Sequence, residues 1–132
     1  MTRALWLTAS ACLVPGAAMA VGLGPLKMSG ITDGSGKAFY LTLTNPYPTA
    51  ERFRARAVSA GDETAQSRVV VFPSDSLVGG GGRRRLLVIV RDLKPGETYS
   101  FRVCAGRDPK PEETVYARVC STLTARRLAA RG

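Results

Sequence analysis

Along residues 37–44 (KAFYLTLT) apolar and polar positions alternate. Phe39, Leu41 and Leu43 fall on one side, and Tyr40, Thr42 and Thr44 on the other. A two-residue period marks a strand with one face buried. Asn45-Pro46-Tyr47-Pro48 stops it, because proline has no N–H to give a ladder. The period returns at 51–58 (ERFRARAV), where Phe53, Ala55 and Ala57 oppose Arg52, Arg54 and Arg56. Residues 59–66 are polar and read as a loop. Residues 68–72 (RVVVF) form a short apolar run closed by Pro73, and 74–82, with glycines at 79–82, read as loop. Residues 84–91 (RRLLVIVR) set Leu86, Val88 and Val90 against Arg85, Leu87, Ile89 and Arg91.

After a turn at 92–97 (DLKPGE), residues 98–104 (TYSFRVC) place Tyr99, Phe101 and Val103 inward and Ser100, Arg102 and Cys104 outward. Residues 105–113 read as loop. In 114–124 (TVYARVCSTLT), Val115, Ala117, Val119 and Leu123 share a face, interrupted by Ser121, opposite Tyr116, Arg118, Cys120 and Thr122. The end of the chain (ARRLAARG) has helical propensity and reads as a frayed basic tail over 126–132. About seven short strands separated by frequent turns predict an all-β fold, an immunoglobulin-like antiparallel β-sandwich over 21–125.

Residues 1–20 do not fit that pattern. Arg3 precedes an apolar run from Ala4 to Val14, Pro15 and Gly16 break it, and Ala18-Met19-Ala20 follows. This is the layout of a cleaved secretory signal peptide, with a mature chain from Val21 in the periplasm or secreted. The run is too short to span a bilayer. A buried N-terminal helix is one alternative. A lipoprotein signal with Cys12 as the lipidated residue is another, although the leucine that usually leads such a box is absent.

Export changes the meaning of the composition. The 132 residues carry 19 Lys and Arg against 10 Asp and Glu, a formal charge of +9, and removal of Arg3 lowers it by one. Such a charge suits nucleic acid, an anionic surface or an acidic partner. Nucleic acid is set aside, since an exported chain rarely meets it and no recognition helix or stacking platform lies among the cations. Arg52, Arg54, Arg56, Arg102 and Arg118 fall on outward positions. They read either as a solvated face or as a basic stripe for an acidic protein or anionic surface.

There is no histidine, which excludes a histidine triad, a histidine base and a His-containing zinc site; three cysteines exclude a Cys₄ site. No G-x-S-x-G motif is present. The expectation is a binding protein, not an enzyme, with no cofactor and no metal. Cys12 leaves with the leader, so Cys104 and Cys120 remain for one disulfide in an oxidising compartment. One free reactive thiol is the rival reading. Leu93-x-Pro95-Gly96-x-x-Tyr99 places a tyrosine at a strand start after a turn. That is the setting of a tyrosine corner, whose hydroxyl bonds back to upstream backbone, or of a generic turn and strand.

Leu41-Thr42-Leu43-Thr44-Asn45 is followed by the apolar run 69–73 ending in proline, then the glycine loop with Arg83, Arg84 and Arg85. Next come Leu87-Val88-Ile89-Val90 and Glu97-Thr98-Tyr99-Ser100-Phe101-Arg102-Val103. This order resembles the N-terminal immunoglobulin-like domain of periplasmic pilus-assembly chaperones over residues 37–124. The Leu-x-Pro-Gly-x-x-Tyr run is also similar to a fibronectin type III domain.

The chaperone resemblance implies a protein partner, an extracytoplasmic pilin-like subunit that lacks a strand. The row Val115, Ala117, Val119 and Leu123 would then be lent to it by β-strand addition; otherwise that row faces the protein's own core. Family members carry a second domain, for which this chain has no room. They also carry a basic pair that holds the subunit's terminal carboxylate. Lys27, Arg126 and Arg127 lie near those places without the family's motif. The fibronectin resemblance implies a secreted adhesion or structural module docking an anionic surface through its arginines. Neither resemblance fixes the oligomeric state.

Overall fold

The computed structural model describes residues 21–113 and 117–130. The leader at 1–20, Cys12 and Val115 lie outside the described residues. Nine strands run in order: β1 (Gly22–Gly24), β2 (Lys27–Thr32), β3 (Lys37–Thr44), β4 (Glu51–Ser59), β5 (Val69–Phe72), β6 (Asp75–Val78), β7 (Arg83–Val90), β8 (Thr98–Arg107) and β9 (Arg118–Arg127). They form two packed sheets, β1-β3-β7-β5 and β2-β9-β8-β4-β6. The protein is an immunoglobulin-like β-sandwich.

The alternation read from the sequence sets the core. Phe39, Leu41 and Leu43 of β3, and Leu86, Val88 and Val90 of β7, bury against Phe53, Ala55 and Ala57 of β4. Phe101 and Val103 of β8 and Leu123 and Ala125 of β9 complete the layer. Each fully buried Leu, Val or Phe contributes roughly 1.5–3 kcal/mol.

Four expectations are corrected. Residues 21–36, for which no strand was expected, supply β1 and β2, and the chain changes sheets between them at Pro25. These stretches are rich in glycine and short, so their period is weak. Residues 74–82 are not all loop. Asp75–Val78 forms β6, with Ser76 and Val78 inward, and Pro73 marks a second change of sheet. β8 continues to Arg107, beyond the loop expected from 105. The helical propensity of the tail is not realised. Ala125, Arg126 and Arg127 continue β9, held by a parallel pairing with β2, so the domain extends past 125. Tertiary pairing overrides a weak local preference.

One buried polar residue organises an end of the sandwich. Asn45, fully buried, donates Nδ2 to Thr49 O (2.9 Å), Val78 O (2.9 Å) and Gly79 O (3.1 Å), and its Oδ1 accepts Tyr47 N–H (2.9 Å). It ties the β3–β4 loop to the glycine loop. A Cβ on Gly80 would stand 2.2 Å from Pro48 O, so this close approach admits only glycine.

Candidate functional site

β9 is covered on one side along its whole length and on the other along only part. β8 pairs with it from Arg118 to Arg126. β2 pairs with it only from Thr122 to Arg127. Among the described residues, 118–121 therefore have no ladder partner on the outer side. Thr122 donates its N–H to Leu26 O (2.8 Å), so the even positions of β9 turn their backbone groups away from β8. By that alternation Arg118 and Cys120 present N–H and C=O on the open edge. The edge closes at Ser121, fully buried, whose Oγ donates to Pro25 O (2.7 Å), and at Leu26, 60% exposed beside it.

The cysteines meet here. Cys104 and Cys120 are direct register partners, Cα–Cα 4.0 Å, joined by a disulfide. The short separation fits the non-hydrogen-bonded pair that the alternation requires. The bridge holds β9 to β8 where its other side is open.

The aliphatic row expected on this strand divides in two. Leu123 is fully buried in the protein's own core and is not available for lending. Val119 is half-buried against the core and Ala117 is exposed; these two remain at the open end. The serine that interrupts the row marks where β2 takes over.

The five outward arginines do share one face, on the adjacent strands β4, β8 and β9. Three carboxylates interleave with them. Arg54 lies 3.1 Å from Asp108 and 3.6 Å from Asp75, and Arg56 lies 3.8 Å from Asp75. Arg102 lies 3.6 Å from Glu63, which also accepts from Arg118. Of the five, Arg52 is without a carboxylate among the described residues. Arg83, Arg84 and Arg85 are likewise unpaired there. Arg52, Arg84 and Arg85 line a groove of about 440 Å³ with Tyr40, Phe72 and Leu77, which are 56%, 69% and 57% exposed. Charge alternation along β4 drew attention to the arginines; the acids that neutralise them lie in loops, on β6 and far along the chain.

Tyr99 sits at a strand start beside a turn, but its hydroxyl donates to the side-chain Oε1 of Gln66, not to backbone. Gln66 is in turn held by its own N–H to Ala57 O (3.1 Å). The Arg68 guanidinium lies 4.4 Å from the centre of the Tyr99 ring and forks onto Glu97 at 2.7 and 2.9 Å. Burial pushes the Tyr99 hydroxyl above its ordinary pKa. This network is a structural corner that pins the start of β8.

No family model matches the chain, and no curated protein is similar in sequence. Solved structures are similar in fold. The E. coli chaperone DraB is 22% identical with a TM-score of 0.64, over 86% of this chain and 57% of that one. The Salmonella enterica SafB chaperone, in complex with the SafA pilin, is 20% identical with a TM-score of 0.67, over 87% and 58%. The PapD-like domain 7 of human CEP192 is 14% identical with a TM-score of 0.67, over 95% and 99%. The chain thus has the fold of one immunoglobulin-like domain of the pilus-assembly chaperones, and it spans under three fifths of the length of the two bacterial chaperones.

Proposed function

We propose that this chain is an exported, chaperone-like binding protein of the pilus-assembly type. It holds an extracytoplasmic protein subunit by strand addition along residues 118–121 of β9. The observation that carries this reading is the half-open last strand: backbone groups of Arg118 and Cys120 face outward beside Ala117 and Val119, while β2 seals the rest. Main-chain bonds would supply affinity and the small aliphatic side chains would fill a partner's groove. SafB, similar in fold, is a chaperone in complex with a pilin, which supports a protein subunit as the partner.

The test is a crosslinking pull-down from periplasmic extract with the disulfide intact. Recovery of a subunit that lacks a strand supports the reading. A chain that recovers none, or one whose residues 118–121 are covered by its own N-terminus, sinks it. Amino-terminal sequencing of the periplasmic form checks export: it should begin at Val21.

A second reading is favoured by one observation, the unpaired Arg52, Arg84 and Arg85 around exposed Tyr40, Phe72 and Leu77. These suit docking to an anionic surface. Such binding weakens steeply with salt, whereas strand addition barely responds. Vesicles containing anionic lipid, titrated with salt, separate the two.

A further inference from the structure

We propose that Arg107 is a positioning residue for the open edge of β9. Its purpose rests on the strand-addition reading; its geometry does not. β8 ends at Arg107, and β9 begins at Arg118 opposite Gly106. Residues 108–113, which follow β8, are tied down. Arg107 Nη2 donates to Glu113 Oε1 (2.5 Å). Lys110 N–H donates to Glu113 Oε2 (3.2 Å), and Glu113 N–H donates to Lys110 O (2.8 Å). Residues 107–113 thus close into a turn around one carboxylate.

Arg107 fastens that turn to the rest of the protein. Its guanidinium lies 4.1 Å from the centre of the Tyr47 ring, in the loop that Asn45 organises. Its Nη1 stands 3.8 Å from Glu51 Oε1 on β4, and Lys110 Nζ stands 3.4 Å from the same oxygen. The side chain is 11% exposed, and its Nε and Nη1 are buried without a hydrogen-bond partner among the described residues. Buried unpaired donors are destabilising and uncommon. Closing the hairpin does not require them, because the disulfide already joins β8 to β9 at Cys104 and Cys120.

What the arginine adds is reach. One guanidinium nitrogen bonds Glu113 while the flat face lies on Tyr47, and a lysine ammonium has no such planar group to do both at once. With Glu113 held, five peptide steps remain to Arg118, at most roughly 17 Å of chain. The entry into β9 is thereby confined, and Arg118 and Val119 are ordered before any partner arrives. An edge ordered in advance loses less conformational freedom on pairing.

Hydrogen exchange on the oxidised full chain tests this without a partner. By alternation the Val119 N–H points at β8 and reports on the strand entry. In R107M, the amides of Lys110, Glu113 and Val119 should exchange about tenfold faster, with those of β3 and β7 unchanged. R107K should behave like R107M, since charge alone does not restore a planar group that bonds Glu113 while stacked on Tyr47. E113A, on the outer side of the turn, gives the same localised result should R107M fold poorly. An unchanged Val119 rate overturns the proposal, and so does a rise shared equally by β3 and β7. Failure to recover a strand-deficient subunit would count against the strand-addition reading and leave this measurement standing.

Discussion

Cys104 and Cys120 face each other across β8 and β9 at a Cα–Cα distance of 4.0 Å, one residue before the strand's outer side is sealed at Ser121. They stand sixteen positions apart in the chain. Closing a loop of that size stabilises by roughly 3 kcal/mol in a chain-entropy model. C104A/C120A should lose about that much in urea unfolding. Its open edge should also become the least protected part of β9 in hydrogen exchange.

Asn45 satisfies three carbonyls with one amide, and Val78 O is buried. Asn45→Ala removes this donor from all three, Gly79 O alone among them keeping the Gly82 N–H within the loop, and should cost about 2–4 kcal/mol. Asn45→Asp should cost more, because it sets a carboxylate against the same carbonyls. Denaturant midpoints for the two variants check the order.

The Arg68 fork, with Lys94 N–H in support, lowers the Glu97 carboxyl from 4.5 to about 2. A lowered folded-state pKa stabilises above the unfolded value and is lost as pH falls through the folded one. The contribution of Glu97 should therefore be complete near neutrality and fade between about pH 5 and pH 2. Glu97→Gln should have a lower melting temperature at pH 7 and a flatter decline across that window. Melting temperature against pH for both proteins reads it directly. Asp62, held to about 2 chiefly by the Ser59 hydroxyl, keeps a residual slope in the variant.

Ala117 and Leu123 belonged to one row in the sequence and should separate in experiment. Leu123→Ala should cost about 2–5 kcal/mol, as a fully buried leucine does. Ala117→Arg should leave stability within about 0.5 kcal/mol, since the position is exposed. It should abolish subunit capture in the pull-down. Loss of capture in neither variant would remove the aliphatic row from the partner site.

The sandwich was legible because Phe39, Leu41 and Leu43, or Leu86, Val88 and Val90, repeat every second residue with punctuating prolines. The resemblance to pilus chaperones rested on that order and is matched by fold. What stayed hidden depended on neighbours. β1 is three residues, two of them glycine, the half-buried row of β2 is Met28, Gly30 and Thr32 with Ile31 exposed, and β6 is four residues between Pro73 and the glycines. The open edge of β9 is defined by where β2 stops pairing, and no local pattern in either strand records it. The five arginines expected outward lie on the adjacent strands β4, β8 and β9. Their partial neutralisation was not visible, because Glu63, Asp75 and Asp108 reach them from other segments. Tyr99 stands at the start of β8 with a side-chain acceptor where a tyrosine corner would use backbone. Gln66 carries no signal that would assign it.

The parallel cover of β2 over Thr122–Arg127 has a consequence for solubility. A long bare last strand would invite copies of the chain to pair edge to edge and grow into fibres. Among the described residues, four positions of β9 lack a ladder partner on that edge, and β2, which covers the remainder and is itself the edge of this sheet, carries Lys27 on its exposed side. On β9 that is room for one short visiting strand, while a charge on the covering strand opposes edge-to-edge pairing of copies.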